Sequence, residues 1–207
     1  MISGDIQRHL DSLRVSHLIE RLRSCRERIA ISSDGCAPIP RGVKRSRIRA
    51  LARRYACSAF IETGTYLGDT LNVMCPEFDE VHSIELSSAL YERALVRFAG
   101  RNVHLHLGDS GKLLSEVLRH VRGRPLLWLD AHYSHGITAR GDEDSPIVAE
   151  LRTIAARQDC VIMVDDARYF SGDRGYPTLA QLEWHVNQLF PRHTISIRDD
   201  IAEIVPA

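Results

Sequence analysis

A short turn with two glycines follows the first apolar run in the larger part of the chain. Its sequence is Glu62-Thr63-Gly64-Thr65-Tyr66-Leu67-Gly68, and a helical pattern begins directly after it. Gly64 lets the backbone pass close to a ligand, and Gly68 lets the following helix approach the sheet. The turn matches neither the G-x-G-x-x-G pattern of dinucleotide enzymes nor a phosphate-binding P-loop. The acidic Glu62 favours a cationic ligand group, although a purely structural strand-to-helix turn would have the same pattern.

Single acidic residues end the second and third apolar runs. Glu85 ends the second run and lies 23 residues after Glu62. A carboxylate at the tip of this strand can accept hydrogen bonds from both hydroxyls of a ribose. The third run ends in Gly108-Asp109-Ser110, where the aspartate can reach an adenine amino group. For Glu85 alone, a solvated strand-end glutamate is an equal alternative. The three sites together, in this order and spacing, favour a binding function.

Three aspartates follow the fourth and fifth apolar runs. Asp130 comes directly after Leu127-Trp128-Leu129, and Asp165 and Asp166 come after the run at 161–164. Adjacent strands bring these carboxylates to one rim of a sheet, where without cations they repel one another and have raised pKa values. A hard divalent ion that takes oxygen ligands removes this conflict. The sequence therefore predicts a metal site. The alternative is that the aspartate pair caps the next segment while Asp130 is solvated.

His132 is the candidate general base. It lies two residues after Asp130 and would face the same cleft, and a neutral imidazole can accept a hydroxyl proton near neutral pH. It can instead be a metal ligand, or be hydrogen-bonded within its own loop. We expect the pocket for the acceptor molecule to be lined by residues that follow the aspartates, although such side chains are equally often ordinary packing residues. The candidates are Tyr133, Arg168, Tyr169 and Tyr176.

The positioning of these residues requires a sheet in which several strands end at one edge. Short apolar runs predict strands at 59–62, 81–85, 103–107, 126–130 and 161–165. The segments between them predict helices near 68–75, 87–98, 111–121 and 145–157. Strands separated by helices indicate a mostly parallel sheet that is covered on both faces. A further helix at 178–190 and two short strands around Arg198-Asp199-Asp200 predict a C-terminal antiparallel hairpin.

A helical N-terminal extension precedes this part of the chain. Apolar residues recur at steps of three to five and predict a long helix over 5–30 with one apolar stripe, formed by Ile6, Leu10, Leu13, Leu18, Leu22, Cys25 and Ile29. Residues 32–42 collect Ser, Gly and Pro, which is typical of a linker, and a basic helix follows over 43–54. Because the apolar stripe must be buried, we expect a homodimer or higher homo-oligomer with contacts from residues 1–30. The alternative is a helix folded back on its own sheet.

The strand-end residues together resemble those of class I S-adenosylmethionine (SAM)-dependent methyltransferases. The resemblance covers residues 43–207 and leaves 1–42 outside as the extension. It implies a Rossmann-like sheet of seven strands and SAM as the cofactor. In this family the glycine turn holds the methionine part of SAM, the second-strand acid binds the ribose, and the third-strand acid lies near the adenine. The implied cofactor-binding residues are Glu62, Thr63, Gly64, Thr65, Tyr66, Gly68, Glu85, Gly108, Asp109, Ser110 and Asp130.

The aspartates resemble those of metal-dependent small-molecule O-methyltransferases, including enzymes that act on antibiotic sugars. That group has one aspartate after strand four and an Asp-Asp or Asp-Asn pair after strand five, which match Asp130, Asp165 and Asp166. The resemblance implies a divalent cation, Mg²⁺ above all, and O-methylation of a hydroxylated small molecule such as a sugar or natural product. The group has an acidic base where this chain has His132. The alternatives are metal-free N- or O-methylation, or a non-catalytic cofactor-binding partner protein.

The composition is typical of a globular protein with one domain. The chain has 207 residues, of which 44% are hydrophobic and 26% charged, and this length suffices for one full core. No apolar run reaches the roughly 18 residues of a membrane-spanning helix, and the first ten residues are polar rather than signal-like. Five scattered cysteines without C-x-x-C spacing argue against a disulfide framework and a thiolate zinc site. We therefore expect a reduced, cytoplasmic enzyme.

The formal net charge of zero conceals an asymmetry along the chain. Residues 1–54 contain 13 Lys/Arg and 5 Asp/Glu, whereas residues 55–207 contain 14 and 22. A basic N-terminal part can attract an anionic substrate or a nucleic acid. No aromatic residues alternate with the arginines, as they do in single-strand binders. We therefore expect a small-molecule acceptor rather than a nucleic acid or a membrane.

Overall fold

The structure is a computed structural model that describes residues 39–130, 146–173 and 176–207. The predicted helix over 5–30, together with His132 and Tyr133, lies outside the described residues. The chain divides into two compact units, Met1–Arg47 and Ile48–Ala207. None of the helices in the described ranges is long and apolar enough to cross a membrane.

Helices and strands alternate along the described chain, as the apolar runs predict. The strands are β1 (Ala59–Thr63), β2 (Glu80–Glu85), β3 (Val103–Leu107), β4 (Pro125–Leu129), β5 (Val161–Val164), β6 (His193–Arg198) and β7 (Ile201–Pro206). The helices are α1 (Arg41–Arg54), α2 (Asp69–Met74), α3 (Ser88–Arg97), α4 (Ser110–His120), α5 (Ile147–Ile154) and α6 (Leu179–Leu189). A short 3₁₀ turn, Ala167–Tyr169, follows β5.

All seven strands form one sheet in the order β3-β2-β1-β4-β5-β7-β6. The first five strands in chain order are parallel to one another, whereas β7 pairs antiparallel with both β5 and β6. The predicted α/β fold with a C-terminal hairpin is therefore confirmed. The hairpin turns at Asp199 and Asp200, which both have positive φ, a conformation that aspartate tolerates better than most residues.

The central strands of the sheet are buried on both faces because helices cover each side. Every residue of β1 is buried. Ile61 packs in a cluster that includes Leu151 of α5, whereas its neighbour Phe60 packs in a second cluster that includes Leu71 of α2. Successive side chains of a strand point to opposite faces, so one continuous apolar run supplies both clusters. This is why the buried strands β4 and β5 consist only of apolar residues.

A hydrogen-bonded histidine pair joins β3, the strand at one edge of the sheet, to its neighbour β2. The His82 Nδ1 atom is 3.0 Å from Nε2 of His106, and its Nε2 atom is 2.9 Å from a carboxylate oxygen of Glu80. The His104 ring stacks on that of His82 with 4.8 Å between their centroids. Burial lowers the pKa of both His82 and His106. Both imidazoles are therefore held neutral, with His82 donating to Glu80 and accepting from His106.

This pair makes the stability of the fold sensitive to acid. In the unfolded chain the two histidines bind protons at about pH 6.5, but in the folded chain they do so only at lower pH, so unfolding takes up protons in that interval. We expect the pair to contribute less stability as the pH falls below about 6.5. The measurement is the free energy of unfolding in urea at neutral and mildly acidic pH, for the wild type and for His106→Gln. The loss on acidification should be smaller in the variant, and an equal loss in both proteins would contradict the prediction.

Candidate functional site

The predicted site residues that lie within the described ranges meet at the carboxyl edge of the parallel strands. The turn after β1 has positive φ at Gly64, Tyr66 and Gly68. Gly68 is needed for packing, since a Cβ atom there would lie 2.7 Å from a ring atom of Phe98. The turn therefore exposes backbone without a side chain at Gly64, at the edge of the sheet. Gly68 allows the start of α2 to pack closely against Phe98 at the end of α3.

A buried chain of hydrogen bonds supports this turn from below. Glu62 is only 2% exposed, and its carboxylate accepts a hydrogen bond from the Ser83 hydroxyl at 3.1 Å. The Ser83 oxygen is in turn 2.6 Å from the Thr65 hydroxyl. With Ser83 donating to Glu62, the Thr65 hydroxyl donates to Ser83. These hydrogen bonds thus link the turn after β1 to the neighbouring strand β2.

The Glu85 carboxylate is held in a fixed orientation at the end of β2. One of its oxygens accepts the backbone N–H of Tyr66 at 2.8 Å, and the other accepts that of Ser87 at 2.9 Å. The residue is buried, with 5% exposure, rather than solvated. Each carboxylate oxygen can accept more than one hydrogen bond. Glu85 can therefore accept two further donors, such as the hydroxyls of a ribose, without losing its own support.

Asp109 begins helix α4 and serves as its N-cap. Its Oδ1 accepts the backbone N–H of Gly111 at 2.9 Å, and its Oδ2 lies 3.4 Å from the ammonium of Lys112. The preceding Gly108 donates its N–H to the Glu85 carbonyl at 2.9 Å, and Ser110 is buried. The third strand end is thus anchored to the second. Asp109 has a structural role in addition to the predicted contact with adenine.

Asp130, Asp165 and Asp166 come together as the sequence predicts. Leu129 pairs with Val164 in the sheet, so the residues that follow them emerge side by side. One carboxylate oxygen from each aspartate lies within 4.8 Å of the other two. Divalent cations take oxygen ligands at about 2.0–2.6 Å, so three oxygens at this separation can share one ion. The donor set therefore fits a hard divalent cation.

A single arginine connects Asp166 to the C-terminal hairpin. Arg168 donates to Asp166 Oδ1 at 2.8 Å and also forms a close ion pair with the Asp200 carboxylate. Its backbone N–H donates to the other Asp200 oxygen at 2.8 Å. Arg168 therefore orients one proposed metal ligand and places a positive charge beside the aspartates. Nothing in the sequence identified Asp200 as its partner.

The three candidate acceptor-binding residues of the described chain lie together beside the aspartates. The Arg168 guanidinium stacks over the Tyr169 ring at 4.5 Å from its centroid, and the rings of Tyr169 and Tyr176 are 5.8 Å apart. Tyr169 is 42% exposed. The group therefore presents aromatic surface next to the predicted metal site.

Glu150 is a site-edge residue that the sequence analysis missed. It lies in the first turn of α5 and is 1% exposed. Burial raises the pKa of its carboxyl to about 7, the side chains of Ser110 and Thr63 act in the opposite direction, and the charges of Asp109 and Asp130 raise it further. The sequence does contain a signal, because an acid stands at helical spacing between the core positions Ile147 and Ile154.

The comparisons with known proteins establish the fold. No protein-family model and no curated protein matches the chain. An O-methyltransferase from Bacillus cereus in complex with SAH is similar with a TM-score of 0.57, 13% identity, and coverage of 92% of this chain and 90% of that one. The SAM-bound O-methyltransferase TomG from Streptomyces achromogenes, involved in tomaymycin synthesis, has a TM-score of 0.55, 16% identity, and coverage of 91% and 89%. The SAH-bound Podospora anserina methyltransferase PaMTH1 has a TM-score of 0.52, 15% identity, and coverage of 100% and 97%. The chain thus has the fold of class I SAM-dependent methyltransferases.

Proposed function

We propose that this protein is a SAM-dependent O-methyltransferase that acts on a hydroxylated small molecule, such as a sugar or natural product, with the help of a divalent cation. The observation that carries the proposal is the set of carboxylates at one edge of the sheet. Glu85 is held by two backbone N–H groups beside the glycine turn, and three aspartates converge after β4 and β5, which lie two and three strands from β2. The fold, with SAM- and SAH-bound structures among its neighbours, supports the same interpretation.

The residues of the first three strand ends suit SAM. When bound, SAM supplies a methyl group that its sulfonium charge has already activated. Glu85 would hold the ribose hydroxyls, and the bare backbone around Gly64 would accommodate the methionine part. The adjoining residues of the proposed site are Glu62, Thr63, Thr65, Tyr66, Gly68, Gly108, Asp109, Ser110 and Asp130. The acidic character of this edge complements a cofactor that carries ammonium and sulfonium charges.

The aspartates would hold the cation, with Mg²⁺ as the expected ion among the hard cations that carboxylate ligands suit. A divalent cation supplies charge that favours the alkoxide form of an acceptor hydroxyl. Asp166 would be a shared ligand, because it also pairs with Arg168. His132, which lies outside the described residues, would accept the proton of the acceptor hydroxyl, and Tyr133, Tyr169, Tyr176 and Arg168 would border the acceptor.

One observation favours a second candidate, metal-free methyl transfer. Arg168 already contributes a positive charge to Asp166, at 2.8 Å, and so relieves part of the repulsion that a cation would relieve. In that case the enzyme would act by aligning the acceptor with the methyl group. A cytoplasmic location and a homodimer formed through residues 1–30 complete the proposal.

The decisive experiment is a calorimetric titration of the full-length protein with SAM and with SAH. We expect both to bind, because Glu85 and the glycine turn recognise parts that the two molecules share. NADH, which carries ribose and adenine but no methionine part, is the control and should not bind. Absence of binding by both SAM and SAH would overturn the proposed function.

A further inference from the structure

We propose that Glu150 is a positioning residue of the cofactor site, whose buried carboxyl ties the turn after β1 to the start of α4. This inference rests on the proposed function, because the two segments that it joins are those proposed to hold opposite ends of SAM. Glu150 is not among the residues that the family resemblance implies, and it belongs to helix α5, which lies between β4 and β5 in the chain.

The packing of two helix starts directs Glu150 toward this place. At the start of α4, a Cβ atom on Gly111 would lie 3.6 Å from the Cβ atom of Ala149, the residue before Glu150. The neighbouring Ser110 and the strand-end Thr63 are both buried, and their side chains lie close enough to Glu150 to influence its pKa. One carboxyl thus faces two hydroxyls that belong to different strand ends.

The hydrogen bonding of this group is incomplete. Within the described ranges, Glu150 Oε1 and Thr63 Oγ1 make no hydrogen bond of good geometry, although both atoms are buried. Buried polar atoms without partners are unfavourable, and site hydrogen bonds are often long until the ligand binds. We expect these bonds to shorten when the cofactor draws the two segments together. The backbone carbonyl of Thr63 accepts the backbone N–H of Asp130 at 3.1 Å, so a shift of Thr63 would also move the end of β4.

A purely structural role for Glu150 makes a different prediction. Replacing a buried carboxyl by an apolar residue of similar size removes the cost of burying that polar group, which offsets the hydrogen bonds that the neighbouring hydroxyls lose. If Glu150 only fills space in the core, Glu150→Leu should therefore leave both stability and SAM binding intact. If it positions the two segments, cofactor affinity should fall although the fold persists.

The experiment compares Glu150→Leu, Glu150→Gln and the exposed control Glu183→Gln by thermal unfolding and by SAM calorimetry. We expect Glu150→Leu to keep its melting temperature and to lose about tenfold or more in affinity. Glu150→Gln, which can still hydrogen-bond both hydroxyls, should retain most of the affinity, and Glu183→Gln should match the wild type. A Glu150→Leu protein that binds SAM as tightly as the wild type would overturn the inference.

A second pair of variants covers the case in which Glu150→Leu fails to fold. Thr63→Val and Ser110→Ala remove the two hydroxyls and leave the carboxyl in place. Each should weaken SAM binding in the wild-type background, and by a similar factor in the Glu150→Gln background, because the amide can still hydrogen-bond both hydroxyls. Unchanged SAM affinity of both variants would overturn the inference. Failure of the wild type to bind SAM would instead overturn the proposed function on which the inference rests.

Discussion

Turnover of the Asp165→Asn variant is expected to fall by about 100-fold or more, while its affinity for SAM stays within about a factor of two of the wild type. Loss of a residue that only supports a metal ligand commonly costs 10–100-fold, so loss of a charged ligand should cost at least as much. The amide keeps the shape of the side chain but removes one negative charge from the three aspartates. The proposed SAM contacts lie mainly on β1 to β3, which explains why cofactor binding should persist.

The measurement has two parts. Manganese binding, followed by electron paramagnetic resonance, reports on the aspartates without any acceptor, and SAH release with an acceptor found by screening hydroxylated small molecules reports on turnover. Asp199→Asn is the matched control, because Asp199 is exposed in the hairpin turn and asparagine tolerates its positive φ. We expect the control to bind manganese and to turn over as the wild type does.

Chelation provides the independent test of the same site. EDTA should abolish turnover of the wild type and leave SAM binding nearly unchanged. If the wild type binds no manganese and EDTA has no effect on turnover, the metal proposal is wrong. Alignment of the acceptor beside the Arg168–Asp166 ion pair would then be the mechanism to pursue.

The Glu85→Ala variant is expected to bind SAM at least about tenfold more weakly than the wild type, since each hydrogen bond to a charged group is worth about 1.5–3 kcal/mol. Calorimetry with SAM measures this effect directly. Glu92→Ala, which removes an exposed glutamate from the adjoining helix α3, is the control and should bind normally. Equal affinities of Glu85→Ala and the wild type would contradict the ribose assignment.

A ligand analogue separates loss of the ribose contact from local damage to the turn. Glu85 also accepts the backbone N–H of Tyr66, so its removal could loosen the turn after β1. The 2′-deoxy analogue of SAH lacks one of the two hydroxyls. It should bind the wild type more weakly than SAH does, whereas Glu85→Ala should bind the two ligands nearly equally. A similar difference between the ligands in both proteins would show that Glu85 does not contact the ribose.

The sequence alone determined the fold and the edge of the sheet where the site lies. The run at 103–107 becomes strand β3 with the same bounds, and the other parallel strands differ from their runs by at most one residue at either end. This succeeds because buried parallel strands are continuous apolar segments between amphipathic helices. The carboxyl ends of parallel strands share one edge, so residues at the ends of the runs, such as Glu85 and Asp165, could be placed near the site without coordinates.

Only the tertiary structure decided which partners these residues have. Arg168 was expected at the acceptor pocket, and the structure pairs it with Asp166 and with Asp200, a hairpin residue 32 positions further on. Glu150 contacts side chains that lie 40 and 87 residues before it in the sequence. Apolar periodicity shows that a position faces the core but carries no information on which distant side chain it meets there. Those pairings depend on how α5 and the β6–β7 hairpin pack against the strand ends, and that packing is a property of the whole folded chain.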